Sequence, residues 1–560
     1  MRRPWRIAAA VAFLVALVLG GLAGDRVLAL TDEARDALRL YTEIVTVAQE
    51  RYGAEISYQD VVYASVQGML RTLDPHSYFL SPEAYADMRE KQQSSFYGLG
   101  IWVGMRQGRL TVITPIDGTP ASRRGLRAGD VISSIDGDST ETMTIDEAVQ
   151  KLKGPKGTEV LITIVRKGLA EPLEIGITRD EIPQNTVRLA YIIGPGTGYL
   201  SLSDFNRASG EEVARAIEDL KEKGMKRLLL DLRTNGGGLL DQAIAVTDQF
   251  VPKGSEVVQT RGRIEDSFQE FEAPGTLPEL GMPLIILVGT STASAAEIVA
   301  GAVQDHDMGL IVGETTWGKG LVQTVYGLSY GAALALTTAK YYTPSGRLIQ
   351  RDYTSWFEYQ LHAGAGEPGD EPAFPPEGER APDEPIGQPD RPEREVFRTD
   401  LGRRVYGGGG ITPDVFVETK EIAPFLQYLL ARNAFFDYAV DYVGRHRVAS
   451  ETWEPPDDLL AGFATWLADE EIATLEEAEE ALADPENGAY IRRQIHAEIF
   501  NSVFGLEARF QVLARGDRQI QEALGLFDRA AELLAARREL EKGEQRAERS
   551  VPAGAAEPQL

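Results

Sequence analysis

Cysteine is absent from all 560 residues, which excludes disulfides, a thiol nucleophile and thiolate metal sites, whichever compartment the protein occupies. Histidine is scarce. The five, His76, His306, His362, His446 and His496, lie scattered without metal-ligand spacing, so no metal and no cofactor is expected. Positive charge is also short, with 57 Lys and Arg against 85 Asp and Glu and a formal net charge of −28. No basic patch occurs beyond the N-terminus, which argues against nucleic acid as a partner because its phosphates would be repelled.

One long uncharged run stands out, from Ile7 to Gly24, behind Arg2, Arg3 and Arg6 and broken by Asp25. As a helix of 18 residues it would reach roughly 27 Å, close to a bilayer core of about 30 Å. Residues 1–30 therefore read as a targeting element, a cleaved signal peptide or an uncleaved membrane anchor, and both remain open. Either places the body outside the cytoplasm, in the periplasm or cell envelope, with a retained segment holding it to the inner membrane. The rest is globular in composition, 43% apolar and 25% charged, and long enough for roughly two to four domains.

The organising stretch is Leu284 to Asp305. Leu284 to Val288 is an apolar run of strand length, and after Gly-Thr-Ser-Thr-Ala the apolar spacing of Ile298, Val299, Ala302 and Val303 becomes helical. Ser294 thus sits at a strand-to-helix turn, where unpaired amides and the helix dipole favour negative charge. An acyl-transfer oxyanion wants such surroundings. Ser294 with Glu297 three residues on also reads as a capping box, the commoner use of this pattern. A second apolar segment, Gly309 to Gly313, leads into Glu-Thr-Thr-Trp-Gly-Lys-Gly-Leu-Val-Gln. There Lys319 follows Ser294 by 25 residues, lies between two glycines, and precedes Gln323 by four.

Together, Ser-Thr-Ala-Ser-Ala-Ala-Glu-Ile-Val-Ala-Gly-Ala and Gly-Glu-Thr-Thr-Trp-Gly-Lys-Gly-Leu-Val-Gln resemble the serine-lysine core of the carboxyl-terminal processing peptidases, or tail-specific proteases. The resemblance makes Ser294 the nucleophile, Lys319 the general base and Gln323 the residue orienting it. It places an oxyanion-hole amide at Gly237, in Arg-Thr-Asn-Gly-Gly-Gly after the strand Arg227 to Leu232, acting with the amide of Ala295. Position 236, a glycine here, is usually another residue in the family.

Residues 96 to 180 resemble a PDZ domain of the bacterial-protease arrangement, through Gly98-Leu99-Gly100-Ile101 and Gly-Leu-Arg-Ala-Gly-Asp-Val-Ile at 125 to 132. In such a domain a peptide adds as an edge strand. Its terminal carboxylate would bind the amides of Leu99, Gly100 and Ile101, with Ala148 and Leu152 lining the side-chain groove. Arg166, ending the last PDZ strand, is assigned as a contact reporting occupancy to the core. His76, beside the proline turn Leu-Asp-Pro-His, reads as structural.

The fold class is multidomain α+β: a crotonase-like α/β peptidase core, a PDZ β-sandwich or barrel, and helical N- and C-terminal regions. Boundaries are drawn at 31–95 for the N-terminal helices, 96–180 for the PDZ domain, 181–420 for the core, 421–545 for the C-terminal helices and 546–560 for a disordered tail. An acidic, proline-rich insert at about 360–396 reads as disordered. The implied activity is an exported serine endopeptidase cutting proteins near their C-termini, with the PDZ domain recruiting tails and gating the cut. Its partners are protein or peptide tails, the membrane through the N-terminal segment, and another copy or an adaptor protein on the apolar helix faces. Two other classes stay open, a catalytically silent PDZ scaffold and another acyl hydrolase, such as a thioester hydrolase, on the same core.

Overall fold

The computed structural model describes residues 32–277, 280–351 and 394–550. The expected targeting element and nearly all of the expected insert lie outside the described residues. Among the described residues no helix is long and apolar enough to cross a membrane. Two compact units emerge among the described residues: those up to 83 with 325–336, and those of 84–324 with those from 337 on.

In the smaller unit, helix Tyr58–Leu70 starts at Ser57, whose hydroxyl caps the Asp60 amide. The Leu-Asp-Pro-His segment is a turn built on Asp74, which accepts from the amides of His76 and Ser77, each at 2.7 Å. Strand Tyr78–Leu80 then pairs antiparallel with Ala333, Leu334 and Ala335.

The larger unit is organised on a six-stranded sheet. Val187–Gly194 runs antiparallel to Thr197–Leu202, followed in parallel by Arg227–Asp231, Leu284–Val288, Leu310–Gly313 and Val415–Phe416. Successive residues of a strand face opposite sides, and both sides are covered here. Leu228, Leu230, Ile286 and Val288 join the cluster under helices Ser209–Glu222, Leu240–Thr247 and Ala295–Asp305. Leu229, Ile285 and Leu287 face the cluster made with Ile520, Ala523 and Phe527 from the C-terminal helices. Burial on both faces is why Leu284–Val288 is an unbroken apolar run. That placement leaves the strand ends and their following loops to build a site.

The region expected to be a PDZ domain is a second six-stranded sheet, of Ile101–Arg106, Arg109–Pro115, Val131–Ile135, Glu159–Val165 and Leu173–Thr178, with Asp138–Ser139 paired to Val131–Ile135. Its helix Ile145–Leu152 opens on a reciprocal capping box between Thr144 and Glu147. The C-terminal helices from Pro424 to Ala514 close on a core that includes Leu426, Phe435, Phe463, Ile495 and Ile499. Helix Phe527–Ser550 continues five residues into the expected disordered tail. Residues 551–560 lie outside the described residues.

Candidate active site

Ser294 sits at the C-terminal end of the parallel sheet, one residue before helix Ala295–Asp305, with φ 56° and ψ −117°. Positive φ is costly for a residue with a Cβ and persists only when neighbours over-determine it. Several do. Thr292 donates its hydroxyl to the Leu232 carbonyl and accepts the Gly289 amide, at 2.8 and 2.9 Å, while Ala293 donates to the Asn235 carbonyl at 3.0 Å. The Ser294 amide donates to Glu297 Oε2 at 2.8 Å, and the Glu297 amide donates to the Ser294 carbonyl at 2.9 Å. The glutamate half of the capping reading is therefore present, with the Glu297 side chain on the Ser294 amide.

Glu297, read from sequence only as a cap, is the centre of the site. It is fully buried, and its carboxylate accepts from Ser294 N, Gly318 N at 2.8 Å, Lys319 N at 2.9 Å and the Thr316 hydroxyl. The Thr316 oxygen itself accepts from Ile411 N at 2.7 Å, so its proton points to the glutamate. Burial pushes the Glu297 carboxyl up, against these donors, which pull it down. The carboxylate ties the Ser294 turn to the Lys319 loop.

Lys319 lies on that loop, where the flanking glycines approach other backbone closely. A Cβ on Gly318 would meet Gly410 N at 2.8 Å, and one on Gly320 would meet Gln350 N at 2.8 Å. The Lys319 amine donates to Gln323 Oε1 at 2.8 Å. Burial pushes the amine below the usual lysine range, with the Glu297 charge partly opposing. Glu314 turns elsewhere, its carboxylate accepting from the amide and hydroxyl of Thr419. Among the described residues no hydrogen bond yet joins the amine to the Ser294 hydroxyl.

Gly237 stands against Ser294. Its Cβ, if it had one, would meet Ser294 Cβ at 2.7 Å and Ala295 N at 2.9 Å, and its φ is +98°. Its own N–H, however, donates to Asn235 Oδ1 at 2.8 Å. Asn235 is fully buried and anchored by its Nδ2 to the Leu202 carbonyl, so it shapes the turn from beneath. The amides of Ala295 and of Gly238, the next residue, make no described hydrogen bond. Sequence reasoning missed Asn235 and Tyr341. The hydroxyl of Tyr341 reaches the carbonyls of both Ser294 and Lys319. Their signal was position inside family-like motifs, with no chemistry of their own to mark them.

His306, a natural second choice for a base, is removed by geometry. It follows the far end of the eleven-residue helix Ala295–Asp305, roughly 18 Å along the axis from Ser294. Its ring is held by Asp400 Oδ2 at 2.9 Å and the Glu256 carbonyl at 2.7 Å. No cluster of metal-ligating side chains occurs among the described residues.

In the PDZ domain a cavity of about 500 Å³ is lined by Leu99, Gly100, Ile101 and Leu152 together with Val149 and Ile116. Ala148 does not line it. That residue is 1% exposed and packs into the domain core, and Val149 takes the groove position. The opposite wall comes from the peptidase core, including Arg188, Asp204 and Asn206. Phe205, between the last two, bridges to Gly238 in the turn beside Ser294. The amides of Leu99 and Gly100 make no described hydrogen bond. Arg166 departs from its assignment: it grips Asp130 with two bonds of 2.7 Å and the Gly125 carbonyl, all inside the PDZ domain. The next residue, Lys167, is the one that leaves the domain, pairing with Asp441 on helix Ala434–Arg445.

A parallel sheet with a strained serine at a helix start, a desolvated lysine and a PDZ domain defines a serine-type peptidase with a tethered peptide-binding module. The comparisons agree. The model of Peptidase family S41 matches residues 196–355, a PDZ domain model residues 111–166, and a model described as "Probable PDZ-protease, C-terminal helical domain" residues 425–490. The chain is 44% identical over 317 residues to a carboxy-terminal-processing protease of Bartonella bacilliformis, covering 56% of this chain and 70% of that one. It is 37% identical over 299 residues to a carboxyl-terminal-processing protease of Synechocystis, covering 52% and 69%. A solved photosystem II D1 C-terminal processing protease aligns at 30% identity over 57% of this chain and 91% of that one, with a TM-score of 0.32. The chain belongs to the S41 family of carboxy-terminal-processing proteases.

Proposed function

We propose that this protease is an exported endopeptidase that cuts proteins near their C-termini with a Ser294/Lys319 dyad. The observation that carries the reading is the Lys319 amine: depressed by burial, bonded to neutral Gln323, and carried on a loop whose backbone amide shares the Glu297 carboxylate with the amide of a strained Ser294. The amine takes the Ser294 proton as Oγ attacks the scissile carbonyl. The oxyanion is held by the Ala295 amide and one from the Gly237–Gly238 turn. Collapse breaks the C–N bond, the ammonium returns its proton to the leaving amine, and water, deprotonated by the same lysine, releases the acyl group.

A fluorophosphonate probe should label one residue, Ser294, found by peptide mass spectrometry, and a label on any other residue would remove it as nucleophile. Gln323→Ala should keep measurable turnover, down on the order of tenfold, since it removes one orienting hydrogen bond and leaves the base itself.

The PDZ cavity is proposed to receive the substrate tail, its terminal carboxylate on the amides of Leu99 and Gly100. Apolar-ended peptides with a free carboxylate should bind the full-length protein at least tenfold more tightly than amidated copies, read by fluorescence anisotropy. Gly100→Ala should abolish the difference, because its Cβ would fall 2.3 Å from Thr119 Cβ at a φ of +79°. Export is proposed from the three arginines and the apolar run. Protease added to intact spheroplasts should digest the body, and protection by the membrane would refute it.

A further inference from the structure

Two buried side chains bracket the nucleophile and the lysine in a complementary way. Glu297 accepts from both backbone amides, Ser294 N and Lys319 N. Tyr341 stands against both backbone carbonyls, its hydroxyl 3.0 Å from Ser294 O and within hydrogen-bond reach of Lys319 O. Tyr341 is 2% exposed, is the penultimate residue of strand Ala333–Tyr342, and ties its own amide to the Gly320 carbonyl at 3.0 Å. A phenol has one proton, so it donates to one carbonyl at a time while staying seated between the two.

Resting on the dyad reading above, we propose that Tyr341 is a positioning residue for the peptidase reaction, aiming the Ala295 amide at the oxyanion by holding the Ser294 carbonyl. The argument is geometric. The Ser294–Ala295 peptide is planar and trans, so its C=O and N–H point in opposite directions. Pinning the carbonyl therefore sets the direction of the Ala295 N–H, which makes no described hydrogen bond. The Ser294 carbonyl also accepts from the amides of Glu297 and Ile298 at 2.9 and 3.1 Å, but both come from the helix it starts. Tyr341 is the contact from outside that helix. It is needed because φ 56° and ψ −117° at Ser294 are not a conformation the residue holds unaided. Burial pushes the phenol far above its ordinary range, so it remains a donor throughout the working pH range.

Tyr341→Phe removes only the hydroxyl. Its kcat should fall about 10- to 100-fold, the scale of a misaimed oxyanion donor, with KM for a peptide substrate within about twofold. The affinity of a peptidyl boronate, which mimics the tetrahedral state, should fall by the same factor as kcat/KM. The acid limb of the pH profile should stay in place. Replacing Tyr341 by 4-aminophenylalanine, which keeps a donor there, should restore turnover to within about threefold, and serves as the test should the Phe variant not fold. Unchanged turnover, a lower kcat/KM without weaker boronate binding, or an inactive 4-aminophenylalanine variant would overturn the role. Ser294→Ala, run in parallel, separates the two readings. Residual wild-type turnover there sinks the dyad itself, while a dead Ser294→Ala beside an unimpaired Tyr341→Phe sinks the tyrosine alone.

Discussion

Lys319→Arg should lose peptidase activity as completely as Lys319→Ala or Ser294→Ala, by at least 10²- to 10⁴-fold, the scale of a general base. Free lysine titrates near 10.4, so at pH 7 only about one amine in a few thousand would be neutral. Burial moves the Lys319 amine down toward the working range, and Gln323, being neutral, orients it without restoring the charge. Arginine keeps its proton above pH 12 and cannot take one from a serine hydroxyl. For the wild type, kcat/KM should therefore rise with pH through the lowered amine pKa and level off above it. A flat profile at low pH would exclude a lysine base.

The same burial has a stability consequence of definite sign. Because the native amine has the lower pKa, the unfolded chain binds more protons between the folded and unfolded values. Stability therefore rises with pH across that window, and is reduced below it by the cost of burying the ammonium. Lys319→Met, which buries no charge, should be inactive yet melt at or above the wild-type temperature at pH 7, whereas Lys319→Arg should melt below it. Calorimetry on the three proteins checks the order. A methionine variant that melts well below wild type would mean the amine stabilises the fold, contrary to its depressed pKa.

What could be read from sequence followed from how local each signal was. Leu284–Val288 and the helix after it were legible because both faces of that strand are buried and the change of apolar period falls at Ser294. Lys319 between glycines was legible because a close-packed backbone leaves no room for side chains at 318 and 320. Ala148 was misplaced by a single step: on Ile145–Leu152, positions 148 and 152 share a face, but the domain core claims the first and the groove reaches Val149 and Leu152. Arg166 was misread because its partner Asp130 lies 36 residues back in the chain, across the sheet. Asn235 and Tyr341 meet backbone atoms brought close only by folding, and a tyrosine 47 residues from the serine whose carbonyl it meets carries no local mark. Glu297 was hidden differently, because it satisfies the grammar of a helix cap and so gave no reason to look further.

That double duty makes Glu297→Gln the most damaging isosteric change expected in the site. All four groups on the Glu297 carboxylate are donors: Ser294 N, Gly318 N, Lys319 N and the Thr316 hydroxyl. A carboxylate offers about four lone-pair sites, whereas a glutamine has one oxygen with two and an NH₂ that only donates. Whichever way the amide turns, buried donors meet a donor. At about 1–3 kcal/mol for each unsatisfied group, leaving one or two orphaned costs roughly 1–6 kcal/mol of stability. The serine and lysine loops also lose their shared anchor, and a displacement near 1 Å there lowers turnover on the order of 10²-fold. The glutamate charge is moreover the interaction that raises the Lys319 amine against its burial. Without it the amine pKa falls further, so the acid limb of the residual activity should move to lower pH while the plateau drops. A rival view, in which Glu297 is only a helix cap, predicts about 1 kcal/mol of lost stability with the plateau and the acid limb unmoved. A pH–rate profile of Glu297→Gln at a temperature below its melting point decides between the two, because only the hub removes activity and shifts the limb together.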